Sequence, residues 1–393
     1  MTKGFYTLLI AQFLSAIADN ALLFALITML STMDAPLWHT PMLKWVFVIS
    51  YIVLAPFVGP FADAQPKGRV MFLSNGIKFF GCALALLGLP PLYVYAIVGF
   101  GAAAYSPAKY GILTEMLPSH LLIKANAWME GTTVAAIVIG PILGTMISKN
   151  NPMLGVAIIT GTYLLAAFFN FRIPKMPIDH AIPKRSLNFL LHDFWHAFTT
   201  LWRDTQGQVS LAVTTLFWGA GATLQFVVLS WAQIRLGFDK EASAILIGIL
   251  AVGIAFGSVL ASLYVKLEDT AKVLPSGIYM GILVICMIFV LNPAIAAILL
   301  FIIGVLAGYF LVPLNSLLQH RGHTLLGAGH SIAVQNFNEN IGIAVMLGAY
   351  ALMVHYQMSI NSIVIIFGAF IIVSMGTITH LYRKHVRLKG LEA

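Results

Sequence analysis

Asp19 and Asn20 stand in the stretch AIADNALLF, inside an otherwise apolar run from Phe5 to about Ser31 of a 393-residue chain. A carboxylate surrounded by hydrocarbon costs several kcal/mol unless a partner or a solute compensates it. Residues of the same kind recur in other apolar runs: the charged Lys78, Lys109, Glu130 and Glu339, and the amides Gln225, Asn315, Gln335, Asn338 and Asn340. The chemistry open to such a set is the binding of a polar or charged substrate group. Paired within the chain, Asp19 with Lys109 and Glu130 with Lys78 satisfy two ion pairs, which are weakly stabilising at best because desolvation offsets much of their attraction. That leaves Glu339, since three acids face two bases. It must be protonated or meet a cation from solution or from the substrate. In AVQNFNENIGIAV, Gln335, Asn338 and Glu339 share one helical face by three-and-four spacing, with Asn336 and Asn340 on the adjoining one. A helix that only packs has no use for five such groups.

The elements that carry these residues follow from composition. The chain is 60% hydrophobic and only 9% charged, too little charge for a soluble surface of this length. Twelve spans are expected, at about 5–31, 43–63, 70–88, 92–114, 121–148, 153–172, 207–235, 241–265, 273–291, 293–318, 326–354 and 360–382. Each is long enough to cross ~30 Å of hydrocarbon at ~1.5 Å per residue. The first apolar run is too long for a signal-peptide core and counts as the first span. With the N-terminus inside, sixteen of the 22 Lys and Arg fall on inner segments, among them Lys67, Arg69, Lys184, Arg185, Arg321 and Lys389. Four fall outside (Lys44, Lys149, Arg235 and Lys240), and Lys78 and Lys109 lie within spans. This positive-inside bias places both termini in the cytoplasm and accounts for the net charge of +8 without a nucleic-acid partner. Cys82 and Cys286 lie in apolar segments and say nothing about disulfides or metals.

Most connections are short, except residues 173–206. Their first part is Pro-rich and basic; from Ser186 to Asp204, Leu187, Leu190, Leu191, Phe194, Phe198, Leu201 and Trp202 recur at helical spacing, the pattern of an amphipathic helix on the inner membrane surface. The expected organisation is a six-helix bundle over 1–172, a cytoplasmic linker over 173–206 and a second six-helix bundle over 207–393, the layout of a duplicated transporter. A faint repeat supports the duplication. Ser106-Pro107-Ala108-Lys109 is echoed by Val312-Pro313-Leu314-Asn315, and Asn126 with Glu130 is echoed by Gln335 with Glu339.

GPFADAQPKGR supplies Gly59, Asp63, Lys67 and Arg69, and GTTVAAIVIGPILG supplies Gly140, Pro141 and Gly144. The first resembles the helix 2–3 gate signature of the major facilitator superfamily, although Ala64 replaces the usual arginine and the loop is longer. The counterpart near Gly257 and Lys266 is degraded. The second is similar to that superfamily's glycine-proline motif of helix 5, which permits close packing and a bend. The resemblance implies an all-α fold and gating roles for these residues. It also implies a cavity lined by helices 1, 4, 7 and 10 with contributions from 5, 8 and 11.

A closer resemblance covers nearly the whole chain. AQFLSAIADNALLFA, KWVFVISYIVLAPFVGPFAD, GAAAYSPAKYGIL, TLFWGAG, VPLNSLLQHRG and GAGHSIAVQNFNEN are similar to the bacterial lysophospholipid transporter family. That likeness implies movement of lysophosphatidylethanolamine-type lipids from the outer to the inner leaflet of the inner membrane, where a cytoplasmic acyltransferase–acyl carrier protein synthetase re-acylates them. It implicates Asp19, Asn20, Lys109, Glu339 and Asn340 in the site, with Lys78 and Glu130 in matching segments. Carboxylates suit the ammonium of such a head group, a lysine its phosphate and amides its hydroxyl. The chain departs from the family at Gln225, where a basic residue can stand. The competing reading is a proton- or sodium-coupled exporter of drugs or small metabolites. An enzyme is not expected. No histidine is followed by an aspartate five places on, as an acyltransferase needs; no phosphate-binding Gly-x4-Gly-Lys-Ser/Thr loop is present; and little chain follows the last span. No cofactor or metal is expected.

Overall fold

The computed structural model describes residues 3–33, 35, 39–176 and 186–388. Lys184, Arg185 and Lys389 of the charge pattern, and residues 177–185 of the linker, lie outside them. Among the described residues the secondary structure is helical: α1 (Lys3–Thr32), α2 (His39–Asp63), α3 (Lys67–Leu86), α4 (Pro91–Met116), α5 (Leu122–Ser148), α6 (Pro152–Phe171), α7 (Leu187–Arg203), α8 (Thr205–Leu236), α9 (Lys240–Tyr264), α10 (Pro275–Cys286), α11 (Pro293–Leu325), α12 (Ala328–His355) and α13 (Ile360–Leu388), with three short 3-10 segments. Eleven helical segments among them are long and apolar enough to cross a membrane. α4, 26 residues long, is not in that set; Tyr93, Tyr95, Tyr105, Ser106, Pro107 and Lys109 dilute its apolar character.

Local sequence sets the helix ends. Asn151, Asp204 and Asp239 accept the backbone N–H of Leu154, Gly207 and Ala242 at 3.1, 2.9 and 2.8 Å and so cap α6, α8 and α9. Gly237 ends α8 at φ 68°, a left-handed conformation that suits glycine. α11 runs to Leu325, beyond the expected end at 318, because HRGHTL continues the helix until Gly327 turns at φ 104°. The expected span 273–291 is shorter as an α-helix, since Met287–Phe289 tightens into a 3-10 turn.

The chain forms two compact units. The first comprises residues 1–118, 132–200 and 322–337; the second comprises 119–131, 201–321 and 338–393. The core of the first unit gathers Leu22, Leu26, Val94, Val98, Ile159 and Tyr163. In the second, Phe217, Trp231, Leu300, Phe310 and Phe367 fill the centre. Outward faces carry exposed Phe80, Leu87, Phe171, Phe289 and Val373, a surface suited to lipid.

Glycine seams bring helices close enough to place the polar groups. On α5, a Cβ at Gly140 would lie 2.5 Å from Asn20 Cβ, and one at Gly144 would collide with the Ala21 carbonyl oxygen of α1. In the second unit Gly253 and Gly257 of α9 press on Phe301 and Val305, while Gly304 and Gly308 of α11 press back on Leu250 and Ile254. Gly257 therefore serves a reciprocal small-residue crossing of two membrane helices.

Candidate functional site

In the first unit, Asp19 lies on α1 where α1, α3 and α6 converge. Its Oδ2 accepts from Lys78 Nζ at 2.7 Å and its Oδ1 from the Tyr163 hydroxyl at 2.8 Å. Lys78 also donates to Ser15 Oγ at 3.0 Å, and Ser15 donates to Asn75 Oδ1 at 2.8 Å. Tyr105 and Tyr163 present their rings to the Lys78 ammonium at 4.9 and 5.7 Å from the centroids, within or near cation–π range. Gly101 makes room for the lysine stem, as a Cβ there would meet Lys78 Cγ at 2.7 Å. Lys78 is 1% exposed and Asp19 is 20% exposed, so of the two it is the carboxylate that keeps an open edge. A carboxylate edge backed by a buried ammonium can serve a cationic group.

These contacts correct the expected pairings. Asp19 pairs with Lys78, not with Lys109, and Lys78 does not pair with Glu130. Helical periodicity says which residues share a face but not which neighbour that face meets; here α3 packs against α4 and α6, and the Lys78 side chain reaches Asp19 from there. Asn20 donates to its own helix at Ala16 O, and Lys109 lies over the Tyr110 ring at 4.2 Å. In the second unit Glu130 accepts from Asn315 Nδ2 at 3.5 Å. One turn earlier on α5, Asn126 and Gln319 exchange two amide hydrogen bonds at 2.8 Å. Gln12 donates to Thr133 and accepts from Thr132 in the first unit.

The remaining candidates divide between the units. Gln335, 5% exposed, belongs to the first, where its neighbour Asn336 accepts from Ser106 at 3.3 Å. Asn338 and Glu339 are buried in the second, which also holds Asn340 and the exposed Gln225.

A second cluster in the first unit forms where α2 meets α3. Lys67 bonds Asp63 at 2.7 Å, Glu115 at 3.1 Å and the Ala62 carbonyl at 3.0 Å. Asp63 also receives the backbone N–H of Gly329 at 2.7 Å and of His330 at 2.9 Å, and its Oδ2 lies 2.5 Å from His330 Nδ1. His330 Nε2 faces Asp193 of α7 at 2.9 Å. Next to it Phe194 and Phe198 pack edge-on against Phe337 of α12. Gly59 lets α2 approach α12, since a Cβ there would lie 3.0 Å from His330 Cα. Of the four gate candidates on α2 and α3, Arg69 alone is exposed and apart from this network. Tyr163, His330 and Asp193 carried no sequence signal: an aromatic among apolar residues, a histidine at a helix start and an aspartate on a surface helix are each ordinary.

This arrangement, buried charges in long apolar helices with a charged crossing between α2 and α3, defines a membrane transporter, and residues 8–347 match the Major Facilitator Superfamily. FucP, a member of that superfamily solved in the outward conformation, has the same fold, with a TM-score of 0.76 at 13% identity over 97% of this chain and 99% of its own. The chain is 43% identical over 357 residues to the Lysophospholipid transporter LplT of Serratia proteamaculans (strain 568), covering 90% of this chain and 89% of the relative. It is 42% identical over 389 residues to the Lysophospholipid transporter LplT of Escherichia coli O7:K1 (strain IAI39 / ExPEC), covering 98% and 97%. At such identity over almost the full length, the chain belongs to the family of these LplT transporters within the superfamily.

Proposed function

We propose that this protein carries lysophospholipids of the lysophosphatidylethanolamine type from the outer to the inner leaflet of a bacterial inner membrane. It does so with twelve spans, both termini in the cytoplasm and no enzymatic step of its own. The observation that carries this reading is the Asp19–Lys78 pair, joined to the names of the relatives. A phosphoethanolamine head group bears an ammonium and a phosphate; the pair holds the Asp19 carboxylate out to the first, and a lysine such as Lys109 is left for the second. Moving such a head across the bilayer needs no covalent chemistry; re-acylation by a cytoplasmic acyltransferase–acyl carrier protein synthetase removes the product and draws transport inward. Asn20, Lys109, Gln225, Asn315, Gln335, Asn338, Glu339 and Asn340 are assigned with Asp19 to the substrate path, and Lys78 with Glu130 to a supporting charge network. Gly59, Asp63, Lys67, Arg69, Gly140, Pro141 and Gly144 are assigned to gating.

The test is uptake of radiolabelled lysophosphatidylethanolamine into spheroplasts that contain the acyltransferase, comparing wild type with Asp19→Asn at equal membrane levels. Wild-type uptake that is lost in the variant supports substrate and site together. Absence of wild-type uptake, with the acyltransferase active, overturns the reading.

A further inference from the structure

Tyr163 stands on α6, 0% exposed, within the apolar core of the first unit beside Ala18, Leu22, Val156 and Ile159. Phenylalanine would fill that space as well, and a buried hydroxyl without a partner costs free energy. The hydroxyl of Tyr163 has one hydrogen bond among the described residues, to Asp19 Oδ1 at 2.8 Å. Its polar atom is therefore explained by Asp19 alone.

The geometry of that contact is specific. Lys78 holds one carboxylate oxygen of Asp19 and Tyr163 holds the other. Two donors on two different oxygens fix the plane of the group and leave each oxygen a second lone-pair direction for a solute. The two anchors also differ in kind. Lys78 is a buried cation whose ammonium also serves Ser15. Tyr163 is neutral and donates to Asp19 alone, so it keeps the carboxylate aimed. Without the hydroxyl, Oδ1 is free to rotate onto Lys78, and the carboxylate turns away from its exposed edge.

We propose that Tyr163 is a positioning residue for head-group recognition, holding Asp19 toward the substrate's ammonium. This rests on the reading of Asp19 as a head-group ligand. The test compares wild type, Tyr163→Phe and Asp19→Asn in the spheroplast assay with two lipids, lysophosphatidylethanolamine and the amine-free lysophosphatidylglycerol. Tyr163→Phe is expected to raise KM for the amine-bearing lipid roughly tenfold while kcat stays within about twofold, the signature of lost ground-state binding, with a smaller effect on the amine-free lipid. Equal losses on both lipids, or an unchanged KM, overturn the proposal. Normal transport by Asp19→Asn overturns the underlying reading instead, whatever Tyr163→Phe does. Should Tyr163→Phe fail to accumulate, 3-fluorotyrosine placed at 163 in the otherwise wild-type chain gives a second readout. Its fluorine resonance is expected to move when lysophosphatidylethanolamine is added; no movement overturns the proposal.

Discussion

Asp63 holds His330 at two points, the backbone N–H at 2.9 Å and the ring Nδ1 at 2.5 Å. With the Gly329 N–H on its other oxygen at 2.7 Å, the carboxylate of α2 occupies the start of α12. A negative charge is favourable there, where backbone N–H groups lack helical partners. Gly329 is required by the approach: a Cβ would lie 2.6 Å from Asp63 Oδ1. Asp63 itself is 0% exposed, so its charge depends on these donors and on Lys67.

Asp63→Ala therefore leaves Lys67 with Glu115 and takes the acceptor from two backbone donors, those of Gly329 and His330. The expected loss is about 3–5 kcal/mol, as for removal of one member of a buried ion pair. Hydrogen–deuterium exchange checks it locally: amides 329 and 330 are expected to exchange faster than in wild type, with the middle of α12 unaffected. Unchanged protection at 329 and 330 would show that the contact does not hold the helix.

The Asp19–Lys78 pair separates stability from transport. Asp19→Asn leaves Lys78, the more buried partner, without its anion, whereas Lys78→Met leaves a partly exposed carboxylate still bonded to Tyr163. Thermal unfolding of detergent-solubilised protein should rank Asp19→Asn below Lys78→Met. The double variant is expected to recover stability, since replacing a buried pair by apolar or neutral groups is often neutral, yet to remain inactive. Recovery of transport in the double variant would show that the pair is only structural.

α7 is held to the first unit by Asp193 and by a side chain that is 8% exposed, Phe194. Phe194→Ala is expected to cost about 3 kcal/mol through the cavity it leaves. Tryptic cleavage after the exposed Arg203 should quicken in this variant and, to a lesser degree, in Asp193→Ala. Wild-type digestion rates in both would mean that α7 is held elsewhere.

Two glycines on helices make a controlled comparison. Gly76 of α3 has open space around its missing Cβ, so Gly76→Ala is expected to be neutral or to stabilise by up to about 1 kcal/mol. Gly144→Ala must push α5 off the Ala21 backbone and is expected to lower both melting temperature and uptake. A harmless Gly144→Ala would contradict the tight seam between α1 and α5.

The sequence made the membrane class and the unusual residues readable, because a carboxylate in an apolar run is conspicuous whatever the fold. Asp19 and the Gly59–Asp63–Lys67 stretch stand out for that reason. Partner identity was not readable in the same way. Pairing Asp19 with Lys109 satisfied the charges as well as pairing it with Lys78 did, and only the reach of the Lys78 side chain from α3 to α1 decides between them. Tyr163 and His330 are silent in sequence because their importance comes from one atom each, aimed at a carboxylate far away in the chain. Spacing also ended α11 too early, at 318, since residues 319–324 lack the apolar pattern yet continue the helix toward the turn at Gly327.

The seam at Gly140 bears on how loss-of-function alleles of such a carrier should be interpreted. Position 140 touches Asn20, the neighbour of Asp19, across the α1–α5 contact. An allele at 140 would thus imitate an allele at 19 in a screen for uptake, although residue 140 offers the substrate no polar group. A genetic map of this protein would place a hot spot on α5 whose cause lies on α1, and suppressors of it should be sought among smaller residues at position 20.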